Sequence, residues 1–191
     1  GDKVIIHGRG LHGLQAPKDT LDVGNSGTTT RLMSGILAAQ NFTSRVNGDA
    51  SIQKRPMKRI ITPLSMMGAD ITSELGNDCA PLIVNGKQLK GIHYDSPVAS
   101  AQVKSAVLFA GLYADGETSV AEPAVSRNHT ELMFEEFGVD ISCQGKKVTV
   151  KPATELYARK VNVPGDISSA AYFMVAGAIT PNSEITVKNV G

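Results

Sequence analysis

The chain contains no tryptophan, and aromatic residues make up only 5% of its 191 positions. A surface that stacks nucleic-acid bases needs aromatic platforms, so that class is excluded. Charge of one sign is lacking too: 19 basic residues face 18 acidic ones, for a formal net charge of +1. No electrostatic footprint for DNA or RNA is present. Cysteine is scarce. Cys79 and Cys143 have neither zinc nor redox spacing, and reduced thiols in a cytosolic protein are favoured over a disulfide. No apolar run approaches the roughly 20 residues that span a bilayer, and no signal-peptide pattern is visible. These absences point to a cytoplasmic protein with no nucleic-acid or membrane partner, no metal and no cofactor. The opening "GDKVIIHGRG" lacks Met and already alternates like a strand, as though cut from something longer.

What is present is a recurrent plan. With 41% hydrophobic and 19% charged residues, the chain has an ordinary globular composition. Its length suits one large domain, or one domain plus a piece of another. "RLMSGILAAQNFTSRVNGD", "VKSAVLFAGLYADGETSVAEP" and "AAYFMVAGAITPNSEITVKNV" each combine a small-residue helix with a central glycine, a polar turn and a β-type run. The glycines are Gly35, Gly111 and Gly177. "PLSMMGADI" and "FEEFGVDI" place Gly68 and Gly138 at matching phases, after a helix and before a strand. Such recurrence reads as an α/β unit used several times over, against the alternative of chance repetition.

The periodicity predicts helices over 29–39, 56–67, 101–114, 128–137 and 168–179, with strands in "KVIIHG", "SRVNG", "PLIVNG", "TSVAEP", "KKVTVKP", "RKVNVPG" and "SEITVKNV". The helices are rich in Ala, Gly, Ser and Met, as expected of helices buried on most faces. Pro152 and Pro164 bracket the weakest candidate boundary, a stretch between two repeat units, within which the expected division into 1–160 and 161–191 falls.

Cations recur at the predicted helix starts. Arg31 and Lys104 fall in first turns, Arg127 just precedes a helix, and Arg55 before Pro56 takes the N-cap position. A helix start carries partial positive charge, so one such placement costs about 0.3–1 kcal/mol. Four of them together point to a bound anion, which free N–H groups and guanidinium forks both favour. The alternative is pairing with Asp49, Glu122 and Glu131. "GNSG" lets backbone approach a ligand closely, and "SPVASAQ" offers Ser100 and Gln102 near another helix start. Asp166 reads as a plain N-cap of the last helix.

"LDVGNSGTTTRLMSGILA", "GDASIQKRPMKRIITPLSMMGADI", "IHYDSPVASAQVKSAVLFAGLYADG", "SRNHTELMFEEFGVDI" and "VPGDISSAAYFMVAGAI" together resemble the 3-phosphoshikimate 1-carboxyvinyltransferase (EPSP synthase) family, most closely its Gram-positive members. The resemblance runs over essentially the whole chain. It implies an inside-out α/β barrel of pseudo-threefold repeats whose helix N-termini face a cleft between two domains. It also implies transfer of the enolpyruvyl group of phosphoenolpyruvate to the 5-hydroxyl of shikimate 3-phosphate, with release of phosphate. Both ligands are polyanions.

Carried over residue by residue, the resemblance implies that Asn25, Gly27, Arg55 and Gln102 meet phosphoenolpyruvate. Ser100, Ala101, Gln102 and Arg127 meet shikimate 3-phosphate. Ala101 stands where some members have serine, leaving only its backbone to contribute. Arg31 and Lys104 serve as field and scaffold. The family's N-terminal Lys-Ser…Arg segment has no counterpart here, and its proton-accepting aspartate is expected downstream of Gly191. The chain thus reads as about half of an enzyme, missing the remainder of its own chain, monomeric and without turnover alone. Two other readings are a UDP-N-acetylglucosamine enolpyruvyl transferase, whose reactive-cysteine motif neither cysteine matches, and a non-catalytic anion-binding module.

Overall fold

The computed structural model describes residues 3–190. They divide into two units, one ending at Ala158 and one beginning at Arg159.

The first unit contains the same αβ pattern twice. Its first copy runs β1 (Leu21–Asp22), α1 (Gly27–Ala38), β2 (Thr43–Asn47), α2 (Lys58–Met66), β3 (Asp70–Ser73) and β4 (Leu82–Asn85). The second runs β5 (His93–Asp95), α3 (Ala101–Gly111), β6 (Thr118–Ala121), α4 (His129–Glu136), β7 (Ile141–Gln144) and β8 (Lys147–Val150). The two sheets have matching orders, β1-β2-β4-β3 and β5-β6-β8-β7. In each, the first pair is parallel and the other two are antiparallel. The chain is an α/β fold, and the repeat read at Gly35 and Gly111, with Gly68 and Gly138, corresponds to these two copies, whereas the third instance, at Gly177, has its helix but no following strand among the described residues.

Alternation explains the longer strands. In β8, Val148 and Val150 are buried while Lys147 is exposed, the period of two that half-buried sheets impose. Helix α3 is buried along nearly its whole length, which accounts for its small residues. It packs against α1, and a Cβ on Gly35 would lie 2.1 Å from the Ala106 carbonyl oxygen. Only glycine permits that approach. Around this contact the core gathers Leu37, Ile60, Leu64, Leu82, Val107 and Leu108.

Several expectations are corrected. Residues 3–8 form no strand and are exposed. Nor do 159–165 and 183–190, which share a single bridge between Gly165 and Val190. Alternation in a sequence makes a strand only where a neighbour supplies the ladder, and beyond that one bridge these segments have none among the described residues. The second helix starts at Lys58 rather than Pro56, with Met57 at its N-cap. Arg55 instead ends a short 3₁₀ turn with extended backbone, φ −91° and ψ 121°, as a residue before proline prefers.

The second unit holds α5 (Ile167–Ile179). Asp166 caps it, its carboxylate accepting from the Ser168 and Ser169 amides at 3.1 Å, as expected. Both cysteines are free.

Candidate anion site

The starts of α1 and α3 meet. Ser26 caps α1 by accepting from the Thr29 amide at 3.1 Å, and Ser100 occupies the same place on α3. Capping fixes both helix ends and leaves the remaining first-turn N–H groups facing outward. Gln102 ties the two ends together. Its Oε1 accepts from Arg31 Nη1 at 2.6 Å, and its Nε2 donates to Thr28 Oγ1 at 2.7 Å. Both ends of the carboxamide are thereby fixed.

Arg31 lies in the second turn of α1, not the first, and is half-buried. Its other fork nitrogen donates to the Pro56 carbonyl at 3.2 Å. Burial lowers its pKa from the ordinary arginine value, and the charges of Arg55 and Arg59 lower it further. The Arg55 guanidinium donates to Ser51 Oγ at 3.3 Å. A Cβ on Gly27 would sit 3.0 Å from Arg31 Nη1 and 3.3 Å from Arg55 Nη1, so both forks lie directly over this glycine. Three guanidinium groups therefore share one locality, and none forms a salt bridge among the described residues. Asp49, the one carboxylate expected nearby, accepts instead from the Ser51 and Ile52 amides.

Beside this cluster open two adjoining clefts. One, of about 180 Å³, is lined by Thr28, Leu32, Ala101, Gln102, Ser105, Arg127, His129 and Thr130. The other, of about 380 Å³, is lined by Ala99 to Gln102 and by Val125, Ser126 and Arg127. Arg127 is exposed, two residues ahead of α4. Ser100, Ala101, Gln102 and Arg127 thus surround common space, while Gly27, Arg55 and Gln102 meet through Arg31. Asn25 is exposed in the turn before α1 and makes no hydrogen bond among the described residues.

Lys104 departs from the expected pattern. It is 3% exposed and lies between Glu122 and Glu131, 3.3 Å from Glu122 Oε2. It adds no free charge to the site. Of the four cations read at helix starts, Lys104 is the one that pairs as the structural alternative required. Thr28, Arg59, His129 and Thr130 were not singled out by sequence. Thr28 had a signal in its i, i+3 relation to Arg31, which puts both on one helix face. Among the described residues no group of three His, Cys, Asp or Glu side chains is arranged to hold a metal ion, and no helix is long and apolar enough to cross a membrane.

The arrangement is suited to binding anions: two capped helix starts, a fixed carboxamide and several unneutralised guanidinium groups. A 3-phosphoshikimate 1-carboxyvinyltransferase from Pelobacter propionicus is 56% identical over all 191 residues, and one from Bacillus thuringiensis is 59% identical over the same span. The chain covers 44% of each of those relatives. The solved EPSP synthase of Acinetobacter baumannii superposes with a TM-score of 0.84 at 52% identity, over 97% of this chain and 42% of that one. The chain spans less than half the length of the curated relatives it matches. The family profile of EPSP synthase (3-phosphoshikimate 1-carboxyvinyltransferase) matches residues 1–191, and the chain belongs to that family.

Proposed function

We propose that this chain is the part of an EPSP synthase that binds and orients two anionic substrates. In the full-length protein, the 5-hydroxyl oxygen of shikimate 3-phosphate bonds to C2 of phosphoenolpyruvate, and phosphate leaves. Arg55, with Arg31 and Arg59 behind it, meets the phosphoenolpyruvate anion over Gly27, and Gln102 reaches the same ligand. Asn25 contributes from the preceding turn. Ser100, the Ala101 backbone, Gln102 and Arg127 hold the shikimate phosphate. The proton acceptor lies outside this chain, so the chain alone has no turnover. Residues 1–160 form most of one domain and 161–191 enter the next. The whole protein is monomeric and cytoplasmic, with no nucleic-acid partner.

The observation that carries this reading is the guanidinium cluster around Gly27. Like charges at such proximity repel, and a phosphate or carboxylate between them reverses the sign of the interaction. The test is phosphate release by a full-length protein that contains this segment. Release should require phosphoenolpyruvate and shikimate 3-phosphate together. Release with UDP-N-acetylglucosamine in place of shikimate 3-phosphate would overturn the reading. An absence of release, with anion binding retained, would make the protein a binding module.

A further inference from the structure

The buried group Lys104–Glu122–Glu131 has a charge balance that works against its surroundings. Two carboxylates flank one ammonium, and all three side chains are 5% exposed or less. Formally, one excess negative charge lies in the interior next to clefts suited to anions. By its sign that charge weakens anion binding. Its hydrogen bonds give it another role.

Glu122 follows strand β6 and uses both carboxylate oxygens. Oε1 accepts from the Ser100 amide at 2.7 Å, and Oε2 accepts from Ser126 Oγ at 2.7 Å. Ser100 caps α3, and Ser126 immediately precedes Arg127. One buried side chain therefore clamps the two segments that line the larger cleft. Lys104, the fourth residue of α3, neutralises Glu122 and reaches Glu131 on α4. Ser105 Oγ and Thr130 Oγ1 join the same two helices at 2.6 Å.

We infer that Glu122 is a positioning residue for the shikimate phosphate: it holds Ser100 and the Ser126–Arg127 segment at a fixed separation, with Lys104 as its counter-ion. This rests on the substrate assignment proposed above. It differs from a purely electrostatic role in sign, which makes it testable. In Glu122→Gln the carbonyl can still accept from the Ser100 amide, but the NH₂ group can only donate to Ser126 Oγ, so that tie reverses and loses its charge assistance, and the amide no longer attracts Lys104. Lys104 keeps Glu131 as a balanced partner, so no unpaired charge is left buried.

The experiment compares Glu122→Gln, Glu131→Gln, Ser126→Ala and Ser126→Thr in the full-length enzyme. Glu122→Gln should raise KM for shikimate 3-phosphate about tenfold, the scale of a lost charge-assisted hydrogen bond. Its kcat and its KM for phosphoenolpyruvate should stay within about twofold. Glu131→Gln removes a charge but neither tie, and should not raise either KM. Ser126→Ala should raise KM for shikimate 3-phosphate, and Ser126→Thr should restore it. Hydrogen exchange at the Ser100 amide and across 124–127 should quicken together in Glu122→Gln.

A fall in KM for shikimate 3-phosphate in Glu122→Gln would mean that charge dominates, and would overturn the inference. So would equal increases from both glutamine variants, which would signal general damage. Should Glu122→Gln fail to fold, the Ser126 pair decides, and an unchanged KM in Ser126→Ala is fatal. If the unmodified enzyme does not use shikimate 3-phosphate, the functional reading fails separately. Calorimetry with inorganic phosphate then replaces KM, and unchanged phosphate affinity in Glu122→Gln overturns the clamp.

Discussion

Arg31 and Gln102 are 71 positions apart in the chain, yet the guanidinium of one donates to the carboxamide oxygen of the other at 2.6 Å. That contact joins the two repeat copies at their helix starts and fixes which way the Gln102 amide points. The NH₂ end is directed to Thr28 as a consequence. Arg31 therefore acts twice, as a fixed charge and as the group that orients an amide lining the clefts.

Removing it separates orientation from folding. In the full-length enzyme, Arg31→Ala should lower kcat/KM by about 10–100-fold, from about 1.5–3 kcal/mol for a hydrogen bond to a charged group. Melting temperature should hold, because the variant also relieves repulsion with Arg55 and Arg59. Steady-state kinetics, calorimetry and the side-chain amide signals of Gln102 check this together. A drop in melting temperature with unchanged Gln102 signals would make Arg31 a packing residue.

Arg55 should give a sharper loss on one substrate. Among the described residues the one hydrogen bond of its side chain is a 3.3 Å contact to Ser51, so little of its charge is committed to the fold. Arg55→Ala should weaken phosphoenolpyruvate use by about 2–5 kcal/mol in transition-state binding while leaving melting unchanged or slightly raised. Arg55→Lys should recover part of it, since an ammonium keeps the charge without the planar fork. Near-normal efficiency with lowered melting would assign Arg55 to the fold instead.

Much of this was legible in the sequence, and the gaps have physical causes. Strands β2, β4, β6 and β8 announce themselves because each has a buried face. Strands β1 and β5 are two and three residues long, too short to show a period. Residues 3–8, 159–165 and 183–190 carry strand-like patterns without a partner strand among the described residues. At the site, Gly27, Ser100, Gln102 and Arg127 stand out through glycine-rich and hydroxyl-rich motifs. Arg59 does not, because its relation to Arg31 exists only once α1 and α2 are packed. Lys104 is legible as scaffold, with Glu122 and Glu131 as candidate partners, but that both converge on it, from the end of β6 and from α4, appears only in the packed structure.

A pH prediction follows from the cap of α5. The Ser169 hydroxyl and the Ser168 and Ser169 amides hold the Asp166 carboxyl below its usual range. A depressed carboxylate pKa means the unfolded chain binds the proton more readily. The cap's contribution is therefore complete above the ordinary aspartate pKa and declines as pH falls through the lowered one. Protonating Asp166 should quicken exchange of the Ser168 and Ser169 amides below about pH 4. Asp166→Asn should largely abolish that pH dependence, because its side chain caps without titrating. The measurement is amide exchange against pH; identical pH profiles for both proteins would contradict it.

Two glycines on the same helix should respond to alanine in opposite ways. Gly27 opens α1, and the nearest atoms to its added Cβ would be the far ends of Arg31 and Arg55, at 3.0 and 3.3 Å. Flexible guanidinium groups can move aside by a few tenths of an ångström, so the fold tolerates the methyl. Alanine also stabilises a helix relative to glycine. The displaced forks, however, are the ones proposed to hold phosphoenolpyruvate. Gly27→Ala should thus raise KM for phosphoenolpyruvate at unchanged or higher melting temperature. At Gly35 the Cβ would fall 2.1 Å from the Ala106 carbonyl oxygen, which is backbone in the middle of a buried helix. That atom cannot move without separating α1 from α3. Gly35→Ala should destabilise by about 1–3 kcal/mol or more, as overpacking does. It should also loosen the Arg31–Gln102 contact, since the same two helices carry it. Denaturation and kinetics on both variants decide the matter. A stable Gly35→Ala with full activity would show that the helices part easily, and would remove the rigid seam on which the site geometry depends.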